Sequence, residues 1–300
     1  MVHELAAFIE RLQPQESEQG SEVIEAVLDA GIRRILLGVG GSATTDGGSG
    51  LLHALGAWYR SDAAGGLPGP IPHLAAMDLA AVDIRLREVE MRIACDVTNP
   101  LLGEHGAAAT YGPQKGAWPE DVAALDAWLE HFADLLEKAS GTKARNTPGA
   151  GAAGGAGFGL LCLASRMRSF DLVPGIDVVM AETGFDERLA AADLVITGEG
   201  RIDEQTAYGK TALGVARRAE AAGIPCIAVG GAVTPEGLAA LANVGTLALP
   251  VLDRPMSLQD AMSQAGTIVA AAGERLASLI EVGAAVGQRR SDREAREPVA

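Results

Sequence analysis

Apolar residues along this chain recur with two alternating periods. Ser21–Ala30 (SEVIEAVLDA) carries them at helical spacing and stops at Gly31, so the pattern predicts a helix with a glycine C-cap. Ile35–Val39 (ILLGV) reads as a short buried strand, Gly50–Tyr59 as a helix entered through glycines, and Met91–Asp96 (MRIACD) as a strand. In Glu120–Ala139 the residues Leu125, Trp128, Leu129, Phe132 and Leu136 fall on one face of an amphipathic helix. Further strands are expected at Asp193–Thr197, Cys226–Val229 and Thr246–Leu252. Helices at Lys210–Ala222, Pro235–Ala242 and Ser257–Glu281 alternate with them. That order predicts a parallel sheet with right-handed crossovers, hence an α/β fold.

Asn146–Gly159 (NTPGAGAAGGAGFG) has the composition of a linker but runs directly into LLCLA, so it reads as a packed glycine loop opening a buried helix. The segment Gly149–Ala164 is too short and too rich in glycine to span a membrane. The tail, Gln288–Ala300, is charged and lacks apolar periodicity, so it is expected to be disordered. The organisation expected is a glycine-rich mixed α/β domain over residues 1–190, a second α/β portion over 191–287, and the tail over 288–300.

Composition narrows the function. Acidic residues outnumber basic ones 39 to 24, a net charge of −15, which disfavours nucleic acid and anionic membrane surfaces as partners. Cys95, Cys162 and Cys226 lie far apart without CxxC spacing, so they fit reduced thiols of a cytoplasmic protein. MVHELAAFIERL, at the N-terminus, is too charged for a signal peptide. The histidines have no HxxH or HExxH spacing, and there is no GxSxG elbow.

Three glycine clusters follow apparent strands. Gly38–Gly50 (GVGGSATTDGGSG) holds six glycines in 13 residues, interleaved with Ser42, Thr44, Thr45 and the carboxylate of Asp46. Such a loop exposes backbone N–H groups to an anion. Gly38, Gly40 and Ala43 also fit GxGxxA, with Asp62 about 20 residues on, as in a dinucleotide fold. TTDGGSG cannot open the helix that such a fold requires at that point, so the NAD reading is weak. The second cluster, Thr197–Lys210 (TGEGRIDEQTAYGK), brings Glu199, Arg201, Asp203 and Lys210 to a strand end, where open α/β sheets bind ligands. A Walker A loop would need glycine where Glu204 stands. The third, Cys95–Lys115, offers Asp96, Asn99 and Lys115, one of four lysines in the chain. Asp96 is equally suited to be a base, a metal ligand or a turn cap. Carboxylates and rare lysines on glycine loops point to Mg²⁺-dependent phosphoryl transfer, which needs positioning and charge rather than a nucleophile.

Four blocks carry a longer likeness: GVGGSATTDGGSGLLHALGA, RIACDVTNPLLGEHGAAATYGPQKGA, PGAGAAGGAGFGL and LVITGEGRIDEQTAYGKTALGVARRA. In order and spacing, from Ser21 to Val251, they resemble the bacterial glycerate kinase family of the glycerate 2-kinase type. The resemblance implies ATP-dependent phosphorylation of D-glycerate with Mg²⁺, at the 2-hydroxyl, with the 3-hydroxyl (3-phosphoglycerate) as the alternative. It also implies two α/β domains with substrate in the cleft between them, one flavodoxin-like with a parallel sheet and one built around GVGGSATTDGG. Family members begin with a further segment that carries an opening strand and two loops. This chain starts after it, so the flavodoxin-like sheet is expected to be incomplete.

The expected roles follow. Gly40, Gly41, Gly47 and Gly48, with Ser42, Thr44 and Lys115, cradle anionic oxygens of ATP or glycerate. Glu199 or Asp203 holds Mg²⁺, with Asp46 as alternative. Lys210 and Arg201 neutralise charge on the transferred group, and Asp203 or Asp96 accepts the hydroxyl proton. Two other readings stay open: an inactive or N-terminally truncated homologue that binds sugar acids, and, more remotely, an NAD-dependent hydroxy-acid oxidoreductase.

Overall fold

The structure, a computed structural model, describes residues 17–40, 42–62, 74–204, 206 and 211–294. The chain divides into two compact units, Met1–Val178 and Val179–Ala300. The division falls some way before residue 190, where the sequence suggested it.

In the first unit the order is α1 (Ser17–Asp29), β1 (Arg34–Gly38), α2 (Ser49–Ala54), β2 (Trp58–Ser61), β3 (Leu74–Asp78) and β4 (Glu90–Ala94). Then follow α3 (Ala107–Tyr111), α4 (Pro119–Ser140), α5 (Ala152–Leu163), β5 (Ser169–Val173) and α6 (Gly175–Thr183), which crosses the boundary. A parallel sheet has the order β1-β4-β5, and β2 and β3 form a separate antiparallel pair. The helix expected over 50–59 therefore ends early. Gly56 has φ +99°, and a Cβ there would stand 2.3 Å from the Ala81 carbonyl oxygen, so the chain turns and Trp58–Ser61 pairs with β3 instead. β3 and β5 escaped the sequence pattern because LAAMD and SFDLV are only five residues long and neither alternates apolar with polar positions throughout.

Few as the aromatics are, four of them gather in this unit. Trp128 and Phe132 stack at 5.1 Å, and Phe132 meets Phe158 and Tyr59 edge-on at 6.4 Å each. Burying rings of this size stabilises by about 1.5–3 kcal/mol apiece. The Phe132 ring lies so close under Gly47 that a Cβ on Gly47 would meet it at 2.8 Å. Buried aromatic core thus forms the floor of the first glycine loop.

The 146–159 segment behaves as its sequence suggests, a glycine loop opening a buried helix. Inside α5, Ala153, Gly154 and Gly155 are left-handed, at φ 53°, 67° and 96°. Cβ atoms would stand 1.9 Å from Thr44 O at Gly154, 2.7 Å from Gly47 Cα at Gly155, and 2.8 Å from Gly47 O at Gly159. Glycine is required at these places because backbone rests on backbone.

The second unit continues with α7 (Phe185–Leu189), β6 (Val195–Ile202), α8 (Thr211–Ala221), β7 (Cys226–Val233), α9 (Pro235–Ala242), β8 (Leu247–Pro250), α10 (Leu258–Ser263) and α11 (Ala265–Glu294). β6-β7-β8 is the expected parallel sheet. Residues 288–294, expected to be disordered, continue α11 as helix. Strand β6 is longer than the sequence suggested: Arg201 and Ile202 still pair with Ala232 and Val233.

Two substitutions test the glycine seat. Gly154→Ala should destabilise the protein by roughly 3 kcal/mol or more, whereas Ala153→Gly, which relieves a left-handed alanine, should stabilise it by up to ~1 kcal/mol. Urea unfolding of both variants measures the difference.

Candidate functional site

The first glycine loop has two halves of opposite character. In the second half the four amides from Gly47 to Gly50 are all spent. Gly47 N donates to Gly154 O at 3.0 Å, Gly48 N to Asp46 Oδ1 at 3.1 Å, Ser49 N to Asp46 O at 3.0 Å and Gly50 N to Asp46 Oδ2 at 3.0 Å. The Ser49 hydroxyl also donates to Asp46 Oδ2, at 3.0 Å. Gly47 and Gly48 were expected to offer their N–H groups to a ligand, but those groups are engaged within the protein. Asp46, a candidate metal ligand by sequence, is 6% exposed and folds the turn into α2.

The first half is open. A Cβ on Gly40 would meet nothing within 4 Å, and among the described residues the amides of Gly40, Ser42, Thr44 and Thr45 have no acceptor. Gly41 lies outside the described residues. Eleven positions separate Gly38 from Ser49, where α2 starts, so no helix follows the glycines as a dinucleotide fingerprint requires. Asp62 stands just past β2, an antiparallel strand. The NAD fingerprint therefore fails in both its parts.

Lys115 joins this loop to the third cluster. It closes a single 3-10 turn, Pro113–Lys115, held by Gly116 in the left-handed region at φ 92°. Its Nζ donates to Ser42 Oγ at 2.9 Å and to Thr44 O at 2.5 Å. Burial lowers its pKa to about 8, against the pull of Asp46, which favours the charged form. Asn99, from the same cluster, holds the segment that leads there. Its Nδ2 donates to His105 O at 2.8 Å, and its Oδ1 accepts from the Tyr111 hydroxyl at 2.7 Å. Asp96, just past β4, is exposed; its Oδ1 accepts from Gly175 N at 2.7 Å, at the start of α6. One oxygen orients the carboxylate, and it also caps a helix 79 residues further on.

In the second unit Glu199 and Arg201 belong to strand β6 rather than to a loop past its end. Glu199 Oε1 accepts from Ala212 N at 3.0 Å, at the start of α8, and Oε2 accepts from the buried Thr206 hydroxyl at 3.4 Å. Arg201 and Asp203 form an ion pair at 3.0 Å. Lys210 lies outside the described residues. The sequence reading passed over Gly230, Gly231 and Gly237. A Cβ on Gly231 would stand 2.6 Å from Gly200 O, and one on Gly237 2.6 Å from Ile202 O, so these glycines seat the end of β6. GGAV between a strand and TPEG was the available signal.

Among the described residues no three His, Cys, Asp or Glu side chains come together to hold a metal ion. The expected Mg²⁺ ligands are instead engaged with backbone or with arginine, so the residues present do not form a protein-built cage. Burial pushes the Cys162 thiol up to about 12 and raises those of Cys95 and Cys226, leaving them poor nucleophiles. Among the described residues no helix is long and apolar enough to cross a membrane.

The free amides of Gly40, Ser42 and Thr44 and the Lys115 ammonium, on a loop that runs from a parallel strand to a helix, form an arrangement suited to receiving an anionic group. The Glycerate kinase family profile matches residues 10–281. A glycerate kinase from Halalkalibacterium halodurans is 43% identical over 262 residues, covering 86% of this chain and 67% of that one. A glycerate 2-kinase from Escherichia coli is 40% identical over 218 residues, covering 72% of this chain and 56% of that one. A crystal structure from Salmonella typhimurium LT2 that carries the name glycerate kinase 2 superposes with a TM-score of 0.70 at 38% identity, covering 88% of this chain and 68% of that one. The chain belongs to the glycerate kinase family.

Asp46→Ala removes the acceptor of three hydrogen bonds in a buried turn. It should cost about 3 kcal/mol, and Asp46→Asn less, as read from the urea midpoint.

Proposed function

We propose that the protein transfers the γ-phosphoryl group of ATP to the 2-hydroxyl of D-glycerate, in the cytoplasm, where its three free thiols stay reduced. The observation that carries this reading is the half-buried Lys115 fastened to the open half of a glycine loop, in a member of the glycerate kinase family. The name of the Escherichia coli relative, glycerate 2-kinase, supports the choice of hydroxyl. In the same reading the β6-β7-β8 sheet belongs to a flavodoxin-like domain.

The residues divide the work by what they can offer. The amides of Gly40 and Thr44, the Ser42 hydroxyl and the Lys115 ammonium receive anionic oxygens and hold the ligand in place. Asp96, oriented through Oδ1 and exposed, accepts the hydroxyl proton as oxygen attacks phosphorus, with Asp203 the alternative. Arg201 and Lys210 offset charge on the transferred group. No step is assigned to Mg²⁺: among the described residues no three His, Cys, Asp or Glu side chains gather around one point, and one or two carboxylates with the phosphates of ATP would have to hold it.

Release of ADP with D-glycerate, followed by a coupled assay, tests the kinase reading. Its absence would leave a homologue that binds sugar acids without turnover. The ³¹P spectrum tests the position: phosphate on C2 couples to one proton and appears as a doublet, phosphate on C3 as a triplet. Lys115→Ala and Asp96→Asn should each lower kcat/KM by about 10²-fold or more. Near-normal turnover would remove that residue from the mechanism.

A further inference from the structure

The two hydrogen bonds that fasten Lys115 use two of its three ammonium hydrogens. Among the described residues no acceptor takes the third. Both acceptors are neutral oxygens, Ser42 Oγ and Thr44 O, so among the described residues no hydrogen-bond partner of Nζ neutralises its charge. Asp46, the carboxylate whose charge acts on it, has both oxygens occupied by Gly48, Ser49 and Gly50. A lysine amine needs only two acceptors. The ammonium needs a third.

We propose that Lys115 is a proton-linked anion receptor, in which an anionic oxygen of the ligand takes the third hydrogen and draws a proton onto the lysine as it binds. The shared chemistry is an oxyanion, supplied either by a phosphate of ATP or by the carboxylate of glycerate. The proposal rests on the kinase reading and adds a thermodynamic property to that site.

The sign follows from burial. The free site loses its proton near pH 8, well below an ordinary lysine, because desolvation disfavours the charge. A bound anion favours the charged form and raises that value again. Below pH 8 the lysine is already protonated, and binding takes up little. Above pH 8 binding must bring a proton with it, so affinity falls by up to about tenfold per pH unit until the bound form also titrates.

Calorimetry on the full chain without metal, with ATP and D-glycerate titrated separately from pH 7 to 9.5 in buffers of different ionisation enthalpy, counts the protons. Uptake approaching one proton above pH 8 is expected with whichever ligand meets Lys115, so the two arms separate phosphate from carboxylate. Lys115→Met should abolish it. Ser42→Ala, which removes one acceptor and leaves the lysine in place, should move its onset to lower pH. Binding without proton uptake, uptake undiminished in Lys115→Met, or an onset unmoved by Ser42→Ala each overturns the proposal and leaves the kinase reading standing. Failure of both ligands to bind overturns the two together.

Discussion

The first unit is organised around a contact between two backbones. Gly47 and Gly48 lie on Gly154, Gly155 and Gly159 with no room for a Cβ on the facing surface, and Gly47 N donates to Gly154 O across it. Close approach of this kind excludes water and fixes the loop to a helix already sunk in the core. The Phe132 ring below and the Asp46 turn at the end complete the enclosure. Everything the other half of the loop does depends on this half not moving.

A rigid half can hold an open half in place. The loop leaves the sheet at β1 and ends in the locked turn at Asp46, and Lys115 pins it between the two through Ser42 and Thr44. The amides left over cannot collapse onto one another without breaking those bonds. Donors held apart in this way stabilise an incoming anion with little reorganisation, the physical basis of electrostatic catalysis. The cost is a half-buried lysine whose charge is poorly solvated, which is why proton and anion binding become linked there.

Much of this was legible in the sequence because glycine is informative where backbone must approach backbone. The first and third clusters stood out by composition, and the structure brings Lys115 of the 95–116 segment onto the loop after β1. Strands β1, β4, β6, β7 and β8 and the helices α4, α8 and α9 followed from apolar periodicity. What could not be read was the direction of each hydrogen bond. Asp46 looks like a metal ligand until its oxygens are seen to hold Gly48, Ser49 and Gly50, and Glu199 until it caps α8. Both carboxylates sit beside glycines, and a turn organiser and a metal ligand call for the same residue type. The Gly154 seat was hidden for a different reason: its partner, Thr44, is 110 residues away in sequence.

Native-state amide hydrogen exchange, resolved by residue, tests the division of the loop most directly. Gly47, Gly48, Ser49 and Gly50 should exchange as slowly as the core of the first unit, while Gly40, Ser42 and Thr44 exchange at rates close to those of an open chain. Uniform fast exchange from Gly40 to Gly50 would contradict it, because the glycine seat would then not be holding the loop.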